Sequence, residues 1–176
     1  MAILETERLI VRPVTPDDAD ALFAVLGDPE AMTFYPKPFD RAGIDEWILK
    51  NVESERRLGY GYGAVVLRET GACIGDCGLS IQIIDNSPEL EIGYHLQRRH
   101  WKRGYATEAA RAVRDRVFGA LRRDRVVSWM RKEHLDSRRV AERVGMKLEK
   151  ESMHRLGLQM VVYSMSRAQY EVVRHQ

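Results

Sequence analysis

The stretch HWKRGYATEAAR, residues 100–111, places His100, Lys102, Arg103 and Arg111 around the single glycine Gly104 and then runs into an alanine-rich helical pattern. Upstream lies ELEIGYHL, residues 89–96, an alternating run that reads as a strand. A strand, a cation-rich loop and a helix opening near Gly104 present unpaired N–H groups and the positive end of a helix dipole, which together make an anion site. Gly104 allows close approach to the backbone, and Arg98, Arg99, Lys102 and Arg103 add charge-assisted contacts. The spacing is not that of a nucleotide-hydrolysing phosphate loop, which needs Gly-Lys after a longer glycine interval. A solvated basic loop capping an ordinary helix is the competing reading of the pattern.

Outward from this loop, the chain alternates in type. Arg8 to Val14 reads as a strand, followed by a helix with Thr15 as N-cap, Pro16 at its first position and Asp17 and Asp18 in its first turn. Leu22, Val25 and Leu26 form its apolar face, and Gly27 ends it. FYPKPFD breaks regular structure with two prolines, and a second helix starts near Asp40 with Ile44, Trp47, Ile48 and Val52 at helical spacing. YGYGAVVL, ACIGDCGLSIQII and ELEIGYHL, separated by the turns RETG and DNSP, predict an antiparallel meander. After Gly104 the helix turns Ala109, Ala112, Val113 and Val117 inward. Then come the strand RVVSWM, a short helix from Ser137 to Val144 closed by Gly145, and the strands KLEKE and QMVVYSMS. The order predicts an α+β fold, a mixed and mostly antiparallel sheet flanked by helices, as one domain over residues 1–176.

Composition narrows the function classes. With 44% hydrophobic and 31% charged residues the chain is that of a soluble globular protein. It holds no apolar run of membrane-spanning length, and MAILETERLI lacks the regions of a signal peptide, so a cytoplasmic protein is expected. A formal net charge of +2 gives little reason to expect direct nucleic-acid binding, although arginines cluster at 98–103, 122–125 and 138–143. Cys73 and Cys77 on one strand stand about 13 Å apart, beyond disulfide reach, and are expected to be reduced core thiols. A single cysteine pair is at best half a metal site, and no metal is expected.

ETERLIVRP, EIGYHL, WKRGYATEA and SRRVAERVGM, in this order and spacing, resemble the GCN5-related N-acetyltransferases, in the branch of ribosomal-protein N-terminal acetyltransferases (RimJ/RimL-like). The resemblance runs from about Thr6 to Tyr163, and its most specific element is Trp101 to Ala109. It implies the acyltransferase fold of that family and acetyl-CoA as cosubstrate. The pyrophosphate would sit on the loop carrying Trp101, Lys102, Arg103, Gly104, Tyr105, Ala106 and Thr107. It further implies a strand splayed from its neighbour, with Tyr94, His95 and Leu96 lending main-chain groups to the pantetheine arm and thioester, one N–H meeting the developing oxyanion. Glu89 and Glu91 share one strand face, and either is placed to receive the amine proton; Glu91, nearer the splay, is the first choice. Ser137 matches the serine that would protonate the departing thiolate, and it also stands where a helix N-cap belongs. Tyr163 and Tyr105 rank below it as donors. Two positions depart from the family pattern. His134 replaces an asparagine that contacts the cofactor arm, and Lys102 replaces a glycine. The aromatics Phe34, Tyr35 and Phe39 are either walls of an acceptor cleft or satellite core, the latter being favoured.

The function implied is acetyl transfer from acetyl-CoA to a primary amine, either a protein N-terminus or a small molecule, by direct attack in a ternary complex. A catalytically silent acyl-CoA-binding sensor is the alternative, and a homodimer is left open.

Overall fold

The computed structural model describes residues 3–174. Eight strands form one sheet in the order β1-β2-β3-β4-β5-β6-β8-β7. The strands are β1 (Leu4–Glu5), β2 (Leu9–Pro13), β3 (Tyr62–Leu67), β4 (Cys73–Ile84), β5 (Ser87–Leu96), β6 (Arg125–Arg131), β7 (Lys147–Met153) and β8 (Gln159–Ser166). Every pairing is antiparallel except β5 with β6. The helices are α1 (Ala19–Leu26), α2 (Arg41–Leu58), α3 (Tyr105–Phe118), α4 (Leu135–Val144) and α5 (Arg167–Val173).

The meander of β3, β4 and β5 follows the pattern of the chain. Its second turn is tighter than DNSP suggests. Asp85 and Asn86 alone take left-handed backbone, with φ of 49° and 64°, as a two-residue hairpin loop requires, so Ser87 and Pro88 belong to β5.

Two cores lie on opposite faces of the sheet. One packs Ala109, Val113, Val117 and Phe118 of α3 and Ala141 and Val144 of α4 against Ile74, Ile92 and Leu96. The other packs Leu22, Val25 and Leu26 of α1 and Ile44 and Ile48 of α2 against Ala64 and Val66. Even-numbered residues of β5 therefore face α3 and α4, and odd-numbered ones face the α1/α2 side.

The sequence reading needs correction at several places. Pro16–Asp18 is a 3-10 turn before α1, with Asp18 buried and ion-paired to Arg12 at 2.8 Å. Val52 is exposed, and the inward position of α2 goes to Asn51, whose amide donates to the Trp47 carbonyl and accepts from Tyr62 N–H. Ala112 is only half-buried, because Arg114 takes the inward place and donates to the Val144 carbonyl at 2.6 Å. Ser137 is not the N-cap of α4. The helix begins at Leu135, so Ser137 lies in its first turn and is buried. Two elements went unread, β1 and α5. The latter starts with a reciprocal cap between Ser166 and Gln169, the Ser-x-x-Gln signature of a helix N-terminus. Among the described residues, no helix is long and apolar enough to cross a membrane.

Candidate active site

β5 and β6 run parallel and pair at one position, Glu91 with Val127. Just beyond it the Ser128 hydroxyl donates to the Ile92 carbonyl at 3.1 Å, and β6 then follows β8 while β5 follows β4. The two strands thus form a V with Glu91 at its vertex. A cavity of about 250 Å³ fills the opening and is lined by Glu91, Tyr94, His95, Arg131, His134 and Ser137 among others.

On the α4 side, the Tyr94 hydroxyl donates to the Ser137 carbonyl at 2.8 Å and lies 3.0 Å from Ser137 Oγ. With the single phenolic proton committed to the carbonyl, the serine hydroxyl is the donor in the second contact. The proton of Ser137 therefore rests on Tyr94 and becomes available to another atom by rotation about one side-chain bond. Burial raises the Tyr94 pKa well above its ordinary value and keeps the ring neutral.

On the α1/α2 side, Glu91 is 7% exposed, with Trp129 N–H at 3.2 Å from one oxygen and the Ser80 hydroxyl at 3.3 Å from the other. Burial pushes its pKa up to about 7, against the opposing hydrogen bonds of Gln82, Trp129 and Ser80. Glu89 shares the strand face but pairs with Arg125 at 3.1 Å, away from the cavity. Between Glu91 and His95 lies Gly93, where an added Cβ would stand 1.7 Å from the Tyr62 hydroxyl, so the glycine makes room for that ring. His95 Nδ1 lies 2.7 Å from the fully buried Asp76, and Trp47 Nε1 donates to the other Asp76 oxygen at 2.8 Å. Neither Asp76 nor Trp47 was selected from the sequence as a site residue. The available signal was an aspartate inside the apolar run CIGDCGL.

The proline-rich loop closes this side. Phe34 stacks on His134 with ring centres 4.2 Å apart, and Tyr35 meets His95 edge-on at 5.2 Å. Phe34, Tyr35 and Phe39 line the cavity, and Phe39 also packs against the core under α1 and α2, so its satellite-core reading stands beside its place in the wall. Burial pushes the His134 pKa down to about 4, so its imidazole is uncharged near neutrality.

The loop from Arg98 to Gly104 joins β5 to α3. Trp101 Nε1 donates to the Leu96 carbonyl at 2.7 Å and ties the loop to the strand end, so this carbonyl is already engaged. Lys102 and Gly104 both take left-handed backbone, with φ of 59° and 83°. A glycine is the low-strain residue at either place, so Lys102 holds a backbone conformation that costs it more than the same conformation costs Gly104. Gly104 supplies no side-chain cap, leaving the first-turn N–H groups of α3 around Tyr105, Ala106 and Thr107 for a ligand. Glu108 braces the helix start by accepting from Thr6 Oγ1 at 2.6 Å and from Arg8 N–H at 2.8 Å.

Not every cation expected at the loop faces it. Arg98 is committed to Asp28 at 2.6 Å and Glu30 at 2.5 Å, so it fastens the loop to the end of α1. Arg99 donates to His100 at 3.2 Å. Arg103 contributes its carbonyl to Arg8 at 3.0 Å, and the Arg8 guanidinium covers the Tyr105 ring at 4.6 Å. Tyr163 donates to Glu142 at 2.8 Å from the core and does not line the cavity. Cys73 and Cys77 are free thiols.

A strand pair opening at one parallel contact, followed by a glycine-started helix, can receive a long thiol ester by its phosphates and arm. Residues 8–147 match the family model described as Acetyltransferase (GNAT) domain. The chain belongs to the GNAT acetyltransferases. It is similar to YkkB of Bacillus subtilis (strain 168), with 36% identity over 148 residues that cover 84% of this chain and 86% of YkkB. The crystal structure of the acetyltransferase from Agrobacterium tumefaciens str. C58 superposes with a TM-score of 0.80 at 31% identity over 94% of each chain. RimL, the ribosomal L7/L12 alpha-N-protein acetyltransferase solved with coenzyme A, shares the fold, with a TM-score of 0.78 at 18% identity over 93% of this chain and 97% of RimL. As a GNAT acetyltransferase the protein uses acetyl-CoA as cosubstrate, and acetyl transfer is its general reaction. Among the described residues, no three His, Cys, Asp or Glu side chains gather to hold a metal ion.

Proposed function

We propose that the protein acetylates a primary amine, a protein N-terminus or a small-molecule amine, by direct attack on the thioester in a ternary complex. The observation that carries this reading is the placement of two proton-handling groups on opposite sides of one strand. Glu91 faces the aromatic side of the cavity, and Ser137 with Tyr94 faces the α4 side. The cosubstrate arm would enter along the opened edge of β5 at Tyr94, His95 and Leu96, with its pyrophosphate on the first turn of α3. The acceptor would enter from the aromatic side.

The chemistry follows from that division. The amine lone pair forms the new C–N bond, and a main-chain N–H of β5 meets the oxyanion. Glu91 takes the proton the nitrogen loses, and a carboxylate with a pKa of about 7 suits this task near neutrality. The C–S bond then breaks, and the thiolate takes its proton from Ser137 as the Tyr94 hydroxyl turns from the Ser137 carbonyl and passes its own proton to the serine, Tyr94 recovering a proton from water. A protein α-amine, with a reference pKa of about 7.7–8.0, asks less of such a base than a lysine amine at about 10.4.

The test is release of free thiol from acetyl-CoA over a panel of N-terminal peptides and small amines. Turnover that falls in both Glu91→Gln and Ser137→Ala is expected. Coenzyme A binding without turnover on any amine would instead favour an acyl-CoA sensor.

A further inference from the structure

The cavity is dipolar along the V. Four residues up each arm from the Glu91–Val127 pair stand His95 on β5 and Arg131 on β6. Both line the cavity, and Arg131 lies on the same side of β6 as Trp129, two residues before it, so it faces the acceptor region. Among the described lining residues Glu91 is the only carboxylate, and it lies at the vertex. Among those described residues Arg131 is the only guanidinium, and the lining imidazoles are His95, His134 and His154.

Arg131 is held loosely for a guanidinium. Its buried Nε makes no hydrogen bond, and the charge facing that same Nε is Oε2 of the exposed Glu133, 3.4 Å away. A buried N–H donor without an acceptor is costly, and an exposed ion pair offsets little of that cost. A planar carboxylate entering the cavity supplies the missing acceptor, in the paired geometry that guanidinium groups favour.

Resting on the transferase reading above, we infer that Arg131 selects the acceptor by binding its anionic group, so that the substrate is a small zwitterionic amine of the amino-acid or short-peptide class. The reactive nitrogen lies toward Glu91 and the carboxylate toward the mouth, each end meeting the opposite charge. A polycationic amine places its second cation against Arg131 and is excluded by repulsion. The rings of Trp47, Tyr62 and Trp129 cover the apolar part between the ends. His95, fixed by Asp76, bounds the mouth opposite Arg131.

The experiment uses matched pairs of short peptides, each as the free acid and as its C-terminal amide, with spermidine as the polycation. Thiol release is followed for wild type, Arg131→Gln and Arg131→Lys. Wild type is expected to favour the acid over the amide by about tenfold to a hundredfold in kcat/KM, chiefly through KM, which is the worth of one charge-assisted pair. Arg131→Gln brings that ratio near one, and Arg131→Lys restores part of it. A merely structural arginine would lower both members of a pair together and leave the ratio standing, which would overturn the assignment, as would spermidine being the best acceptor. Absence of thiol release with every amine would sink the transferase reading itself. Calorimetric binding of the same pairs to the coenzyme A-loaded protein then decides the role of Arg131 separately. A preference for the acid that Arg131→Gln removes sustains it, and equal binding of acid and amide, or none, refutes it.

Discussion

His95 and Asp76 face each other across β4 and β5 with Nδ1 2.7 Å from Oδ1, and the carboxylate has no solvent exposure. A carboxylate only accepts, so Nδ1 is the donor in this hydrogen bond. Asp76→Asn replaces one acceptor oxygen by an N–H group facing Nδ1–H or the Trp47 indole. The expected loss is about 1–3 kcal/mol of stability, as for a buried polar group left unsatisfied. Thermal unfolding measures it, and NMR of the His95 ring would show the tautomer no longer fixed. An unaltered melting temperature would mean that the site tolerates an unpaired donor.

Glu91→Gln separates function from stability. The wild-type rate should rise with pH through a titration near 7 as the carboxylate ionises, and the glutamine variant should lose that limb and about 10²-fold or more in kcat. Stability moves the other way. The folded pKa is raised above the unfolded value of 4.5, so the contribution present below 4.5 is lost as pH rises through about 7. The variant should gain about 3 kcal/mol over wild type at pH 8, and the gain should vanish below pH 4.5. Denaturant titrations at the two pH values check it.

Ser137 donates its hydroxyl proton to Tyr94, and the two should act as a unit. Ser137→Ala is expected to lower kcat more than coenzyme A affinity. Adding Tyr94→Phe to it should cost less than Tyr94→Phe does alone in wild type. Additive losses in the double-mutant cycle would separate the two residues.

Gly104→Ala forces a side chain into left-handed backbone at φ 83° and puts a Cβ 3.3 Å from Arg8 Nη2. The strain is about 1–2 kcal/mol, small enough to leave the domain folded. Because the N–H groups of α3 must be re-aimed, coenzyme A affinity measured by titration calorimetry should fall at least about tenfold. Unchanged affinity would remove this loop from the cofactor seat.

His134→Asn places an amide at this position and removes an acid-sensitive contribution to stability. The folded pKa of His134, depressed to about 4 from 6.5 chiefly by burial, makes the unfolded chain bind the extra proton as pH falls from 6.5 to 4. Stability is therefore lost through that window. The ring is only half-buried, so about 1 kcal/mol at pH 5 is expected once solvent screening is allowed for. In the asparagine variant the difference between pH 7 and pH 5 should shrink by that amount in denaturant titrations.

Sequence alone determined the features written in neighbouring residues: the meander, the two-helix insertion before it and the glycine-started α3. Caps, turn residues and hydrophobic period act over a few positions, so their signals survive in a linear reading. The missed cap of α5 at Ser166 and Gln169 was equally legible. Tertiary structure alone decided which carboxylate belongs to the cavity, because Glu89 and Glu91 share one strand face and only the Arg125 partner and the Val127 pairing separate them. It also decided that Phe34 and Tyr35 cover His134 and His95, that Arg98 turns to Asp28, and that Asp76 and Trp47 fix His95. Those contacts join residues 19 to 100 positions apart, and their geometry depends on sheet register and on which face each helix packs, since shifting a strand by one residue exchanges its two faces.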